Sequence, residues 1–443
     1  MPGLKMCCNS TLDSDFRFMK RNFFLSLFCL CALQAPVCVA DNSVAGEVPR
    51  TGRIDRVYQL DYEVSFVPAE GSAHVAVTVR QPRNLLRSLS FEYDPTRYDG
   101  FSGDGVIEDT GSRLTWEPPG TGGTLKFSVV INHERGEAGR YDSLMRNHWA
   151  VFRGDDLLPP ARIRALKGAA SQARLRMSGP SGWSFISAYR RSENDPDWFE
   201  VDRTDRKFER PVGWMAAGNI GVRWGDRAGV RFAIAGPMGQ GIRYSDIKAF
   251  LRWNLPTLVN IFPDFPKRIL LVSAGDPMWR GGLSGPGSLY IHADRPLISA
   301  NGTSTMLHEL VHLAQGYRAV PGQDWIVEAL AEFYTLEIMR RSGTLSGMDY
   351  KQGLEKLESW AGEEDILEAD ESSGPRTAKG VAVMQALDDE LREMTAGRYS
   401  LDDVAGQLSL AGAPVSIEQL RQVAELLAGQ PLESISPQRI DTD

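Results

Sequence analysis

HELVH, residues 308–312, is followed by DWIVEALAEF, residues 324–333, so that Glu328 stands sixteen positions beyond the second histidine. Both stretches repeat apolar residues three and four apart, the spacing of a buried helix face. Residues four apart share one side of a helix, so His308 and His312 can offer two nitrogens to one tetrahedral zinc ion. Glu309, beside the first histidine, is placed to take a proton from water at such a metal and to return it to a leaving amine. A histidine on an apolar helix is more often a satisfied core group. The chain has only six histidines, however, and an HExxH spacing seldom arises by chance among so few.

The third ligand follows from the chain between the helices. A metzincin would need glycine at 315 and histidine at 318, where this chain has Gln315 and Arg318. The first helix is instead expected to stop at Gly316, pass Pro321-Gly322, and restart with Asp324 as N-cap. Such a hairpin returns the second turn of the new helix, at Glu328, beside His312 and completes a His₂Glu set. Glu332 is the alternative carboxylate, one turn further on the same face. Glu328 is nearer the hairpin and is the expected ligand, with Glu332 an outer acceptor orienting His308. The expected cofactor is one zinc ion per chain.

Composition sets the outer bounds. The 443 residues are long enough for several domains, and 42% hydrophobic with 24% charged residues is ordinary for a soluble globular protein. A net charge of −8 argues against a nucleic-acid or anionic-membrane partner, which would want a basic face. Met19-Lys20-Arg21, the apolar run FFLSLFCLCAL (23–33) and CVA ending at Ala40 read as a signal peptide over 1–40. Translation could also begin at Met19. The apolar run is shorter than the ~20 residues needed to span a bilayer. All five cysteines precede the expected cut, so the mature chain would have no disulfide and no cysteine ligand. An exported protein, periplasmic or secreted and without a membrane span, is expected.

After a linker over 41–54 the pattern is β over 55–225, with short alternating runs such as VYQLDYEVSF, HVAVTVRQ and TLKFSVVIN divided by Gly, Pro and Asn clusters. From Val230 the order changes to strand, helix, strand, strand, in RFAIAG, SDIKAFLRWNLPTLVNIF, KRILLVSA and SLYIHA. Beyond Asn301 the chain is helical almost to its end. The expected fold class is α+β and multidomain. It comprises an N-terminal β-sandwich-like domain, a metallopeptidase-type α/β catalytic lobe over 226–342, and a helical lobe over 343–443.

Three longer segments carry a family resemblance. DWIVEALAEFYTLEIMRRSGTLSGMDY (324–350) resembles the WxxEGxxxYY…LLxRAGLI segment of the glycyl-aminopeptidase family of gluzincin zinc metallopeptidases. TAKGVAVMQALDDELREMTAGRYSLDDV (377–404) resembles its YxKGxLxxxxLDxxIR…GxxSLDDV segment, and FPKRILLVSAGDPMWRGGLSG (265–285) its strand leading into GGLEH. The likeness runs from about Phe232 to Leu408 and extends more distantly to aminopeptidase-N-like enzymes. It implies a thermolysin-like catalytic lobe, His308, His312 and Glu328 as zinc ligands, and Glu309 as base and proton shuttle. The PDZ domain with which family members often end has no room after the last expected helix.

Three positions depart from the family pattern. Ala329 replaces the glycine after the third ligand. Ser284 stands where the family has the glutamate expected to hold the substrate's α-amine. Thr377 stands where it has the tyrosine expected to stabilise the oxyanion, and threonine is too short to reach the same point. Tyr317, Tyr334, Tyr350 and His292 are the candidates to replace that donor. Two readings follow: a zinc peptidase acting on peptide or protein substrates, and a zinc-binding, catalytically weak or inactive homologue that serves as a binding or scaffold protein. Ser284 and Thr377 are the expected substrate-facing residues in the first.

Overall fold

In the strand Val57–Val67 the side chains of Tyr58, Leu60, Tyr62, Val64 and Phe66 are buried. These are every second residue, as a strand with one face on a core requires. The strand pairs antiparallel with Ser72–Arg80 and parallel with Ala170–Ser178 in a seven-stranded sheet. A four-stranded sheet contributes Leu86, Leu89 and Trp116 to the same apolar core. A five-stranded sheet, in which Trp149–Arg153 lies between Tyr141–Arg146 and Trp214–Gly218, completes this β part. The computed structural model describes residues 56–136, 139–201, 207–362, 367 and 371–440. The expected leader (1–40) and linker (41–54), with all five cysteines, lie outside the described residues.

A mixed sheet starts at Ile220. Its strands are β1 (Ile220–Arg227), β2 (Val230–Pro237), β3 (Arg268–Ala274), β4 (Gly282–Gly285) and β5 (Ser288–His292). They lie in the order β1-β2-β3-β5-β4, with β2, β3 and β5 parallel and the two edge strands antiparallel to their neighbours. The sequence pattern showed β2, β3 and β5; the two edges are additions. Helix α1 (Tyr244–Ile261) connects β2 to β3 and contains Pro256. Proline cannot donate to the carbonyl four residues back. That carbonyl, on Arg252, accepts instead from Arg227 Nε at 3.2 Å, and the helix runs on.

The remaining α-helices among the described residues are α2 (Thr305–Gln315), α3 (Trp325–Ser342), α4 (Gly347–Ala361), α5 (Pro375–Met394), α6 (Leu401–Ala411), α7 (Ile417–Ala428) and the single turn α8 (Pro437–Ile440). Helix α3 is buried almost all round, from Trp325 and Ile326 to Ile338 and Met339, which makes it the central element of its core. Where α5 crosses it, a Cβ added to Gly380 would lie 2.7 Å from the Ala329 methyl. The glycine on α5 makes room for the alanine on α3. Among the described residues no helix is long and apolar enough to cross a membrane. From Asp55 onward the chain forms one compact unit, and a cluster containing Trp214 and Tyr290, ring centroids 5.1 Å apart, joins the β part to the mixed sheet.

Candidate metal centre

Local signals set the two site helices. The Ser304 hydroxyl accepts from Leu307 N–H at 3.4 Å and caps α2, which ends at Gly316 in the left-handed region. The following loop is fastened to the segment before α7. Arg318 O accepts from Val415 N–H at 2.7 Å, Val320 N–H donates to Val415 O at 2.9 Å, and Gln323 Oε1 accepts from Ile417 N–H at 2.7 Å. Asp324 occupies the N-cap position of α3, yet its side chain makes no cap bond. Its Oδ2 accepts from Ser372 N–H at 2.9 Å instead, tying the start of α3 to the turn before α5. A longer-range partner has displaced the local one.

This hairpin brings together the side chains expected to meet. His308 Nε2 is 3.0 Å from His312 Nε2 and 3.1 Å from Glu328 Oε2, and His312 Nε2 is 3.2 Å from Glu328 Oε1. Behind them, His308 Nδ1 lies 2.9 Å from Glu332 Oε2, and His312 Nδ1 lies 3.3 Å from Gln315 Oε1. Those acceptors call for a proton on each Nδ1, which leaves the lone pairs of both Nε2 atoms aimed inward. Two nitrogen lone pairs and a carboxylate converging this closely repel one another unless a cation or proton lies between them. Zinc ligands at about 2.0–2.1 Å in tetrahedral array stand about 3.3–3.4 Å apart, close to the spacing found. Among the described residues these three form the one group of histidines and acids that could hold a metal ion. The donor set fits zinc.

The electrostatics show the same demand for positive charge at the cluster, met there by a proton. Burial pushes the His308 ring towards neutrality, but the carboxylates of Glu328 and Glu332 outweigh it and hold its pKa well above the usual histidine range. Burial raises Glu328, and the two histidines more than reverse this, leaving it far below the ordinary carboxylate value. Asp324, further along the same wall, is raised, chiefly by burial. Glu309 is 8% exposed and lies against the edge strand: a Cβ on Gly282 of β4 would come 2.7 Å from Glu309 Cγ. Only glycine there leaves the carboxylate its place.

A cleft of about 550 Å³ opens beside these ligands, lined by His312, Glu328, Ser284, Tyr317, Arg318 and Arg153 among others. Ser284 is on the edge strand β4, so the cleft has a peptide-like edge as one wall. Thr377 is in the first turn of α5, where its hydroxyl shares a 3.0 Å hydrogen bond with Ser372. Of the four candidate donors, Tyr334 donates to Asp402 at 3.2 Å, Tyr350 bonds Gln385 at 3.2 Å, and His292 is buried at the end of β5. Tyr317 alone of these lines the cleft. Its hydroxyl is buried without a partner among the described residues, and burial pushes its pKa up. Sequence reasoning missed Gln315, whose spacing of three from His312 was the available signal, and missed Arg153 and Asp155, for which there was none.

Comparison with solved structures places the fold. An aminopeptidase N family protein from Idiomarina loihiensis matches with a TM-score of 0.61 at 14% identity, over 80% of this chain and 70% of its own. An M1 zinc metallopeptidase from Deinococcus radiodurans, in a glutamate-to-alanine variant bound to a Tyr-Ser-Ala substrate, matches at 0.55 and 14% identity. Another structure of an M1 zinc metallopeptidase from that organism matches at 0.53 and 16% identity. Each of these two covers 86% of this chain and 91% of its own. The chain shares the fold of these aminopeptidase N family and M1 metallopeptidase structures, the fold to which the sequence motifs pointed. No family model matches the chain, and no curated protein does.

Proposed function

We propose that this chain is an exported zinc-dependent peptidase that hydrolyses peptide bonds in the cleft beside His308, His312 and Glu328. The observation that carries this reading is the inward convergence of His308 Nε2, His312 Nε2 and the Glu328 carboxylate. A zinc ion held by the three would act as a Lewis acid towards water and the scissile carbonyl. The chain's own residues supply the rest. Glu332 and Gln315 hold the two imidazoles in the tautomer that ligates. The Glu309 carboxylate accepts a proton from the attacking water and delivers it to the departing amine. The edge strand β4 offers backbone groups to an extended peptide by strand addition.

Ser284 argues against obligatory recognition of a free amine. An ammonium group withdrawn from water needs a paired charge, and serine supplies none. N-acetylated peptides are therefore cut at least as well as their free-amine counterparts. The decisive variant is Glu309→Gln, whose amide cannot accept the water's proton. It retains zinc and fold and loses about 10²–10⁴ of the hydrolytic rate against a peptide library. Undiminished cleavage by Glu309→Gln would assign the activity to other chemistry. A zinc-loaded wild type that cleaves nothing would leave the scaffold reading, which the absence of a tyrosine at Thr377 favours.

A further inference from the structure

The β-part wall of the cleft is built around Gly213. Its backbone has φ +82°, and a Cβ there would lie 2.5 Å from Pro286 O, so glycine lets this wall abut the turn between β4 and β5. Gly213 O accepts from Gly154 N–H at 2.7 Å, and Gly213 N–H donates to Asp155 Oδ2 at 2.8 Å. The Arg153–Asp155 segment is thereby fixed beside Ser284 and Gly285.

The charges on this wall do not cancel. Asp155 holds the Gly213 N–H, and its other oxygen lies 3.7 Å from Arg210, whose guanidinium also donates to the carbonyls of Asp155 and Leu158. Arg153 Nε is 3.8 Å from Asp155, beyond hydrogen-bond reach, and its guanidinium stands over the Trp214 ring at 5.8 Å. The Arg153 side chain is 30% exposed and makes no hydrogen bond among the described residues. One carboxylate thus serves two guanidiniums. On the loop after α2, exposed Arg318 lines the same cleft, with its backbone tied to Val415 and no side-chain partner among the described residues. Of the other acids on the cleft, Asp324 accepts from Ser372 at the start of α3, and Glu328 faces the two histidines.

We infer that the cleft binds a substrate carboxylate at Arg153, assisted by Arg318. The preferred peptides then carry an Asp or Glu side chain, or a free C-terminal carboxylate, near the bond that is cut. The planar guanidinium matches a carboxylate in paired hydrogen bonds, and its desolvation beside Trp214 strengthens them. This deepens the peptidase reading and rests on it for what happens after binding.

The test measures dissociation constants by titration calorimetry with the full zinc-loaded chain carrying Glu309→Gln. All peptides are N-acetylated. One has a central glutamate and an amidated C-terminus, a second is neutral with a free C-terminus, and the control has glutamine and an amide. At least one acidic peptide is expected to bind about tenfold tighter than the control, and whichever does so identifies the source of the carboxylate. Adding Arg153→Gln brings the advantage below about threefold, and Arg153→Lys restores part of it. Arg318→Gln, on an exposed side chain, reduces it without risk to the fold. Equal affinity for all three peptides, or an advantage that Arg153→Gln and Arg318→Gln both leave intact, overturns the inference. Turnover separates the two claims. A wild type that cleaves peptides without acidic preference refutes this inference alone. Carboxylate-dependent binding without any cleavage refutes the peptidase reading alone.

Discussion

Helix α3 carries an acidic cluster at each end, half-buried at the first and buried at the second, and the two are built to opposite plans. Near its C-terminus the Glu337 side chain is 5% exposed and accepts from Arg340 Nε at 3.0 Å, Arg340 Nη2 at 2.9 Å and Arg341 Nε at 2.7 Å. Arg341 in turn donates to Asp402 on α6 at 2.5 Å. Every acceptor there faces a donor that is always protonated, so the network is closed by protein alone. Near the N-terminus Glu328 faces two imidazole Nε2 atoms that point at each other and at it. That cluster has the donor set of a zinc ion. A network closed by guanidiniums is a brace; a convergence of this donor type is a candidate cation site.

The comparison is sharpest when each carboxylate is removed. Glu328→Ala deletes a ligand, so the protein loses most of its zinc in equilibrium dialysis while the metal-free form unfolds near the wild-type denaturant midpoint. Glu337→Ala does the reverse: zinc content stays at wild type and stability falls. Breaking a buried pair costs about 3–5 kcal/mol, discounted to about 2–3 kcal/mol here because Arg340 is 42% exposed and can turn to water. Equal effects of the two variants on zinc would erase the distinction.

A smaller effect separates ligand from support. Glu332→Ala removes only the acceptor behind His308 and weakens zinc affinity about 10–100-fold, as changes behind a ligand do. A reversal, with Glu332→Ala losing the metal and Glu328→Ala keeping it, would exchange the roles of the two acids.

Acid titration examines the brace by itself. Burial raises the Glu337 carboxyl, but Arg340, Tyr350 and Arg341 outweigh it and lower the pKa to about 2. A carboxylate whose pKa is depressed on folding adds stability above its unfolded value of about 4.5 and forfeits it as pH falls towards 2. In metal-free protein, Glu337→Gln therefore flattens the loss of stability between about pH 4.5 and 2 relative to wild type. Superimposable acid limbs would mean that Glu337 is not held ionised by the fold.

The convergence of His308, His312 and Glu328 was legible in the sequence because it is local. His308 and His312 share one helix face, a short hairpin returns the chain, and Glu328 and Glu332 share the face of the next helix. Three-and-four spacing and a stop at Gly316 carry all of that. The far wall of the cleft was not legible. Strand β4 is GLSG, with no alternation and two glycines, and it is a strand only because Ser288–His292 offers it a register across Pro286-Gly287. Arg153 and Asp155 reach the cleft from a sheet more than a hundred residues earlier, through Gly213. Asp324 shows a local rule overridden, since the capping residue expected from its position bonds Ser372 instead. Spacing along one chain segment reveals contacts along a helix, and it is blind to surfaces assembled from distant segments.

The most direct test of the central claim, that the Glu328 cluster is a zinc site, is the zinc content of the purified chain by elemental analysis after gel filtration. One zinc per chain in wild type and a loss of most of it in His312→Ala is the expected result. A wild type that holds no zinc after exposure to it, or His312→Ala that holds as much as wild type, would contradict the account.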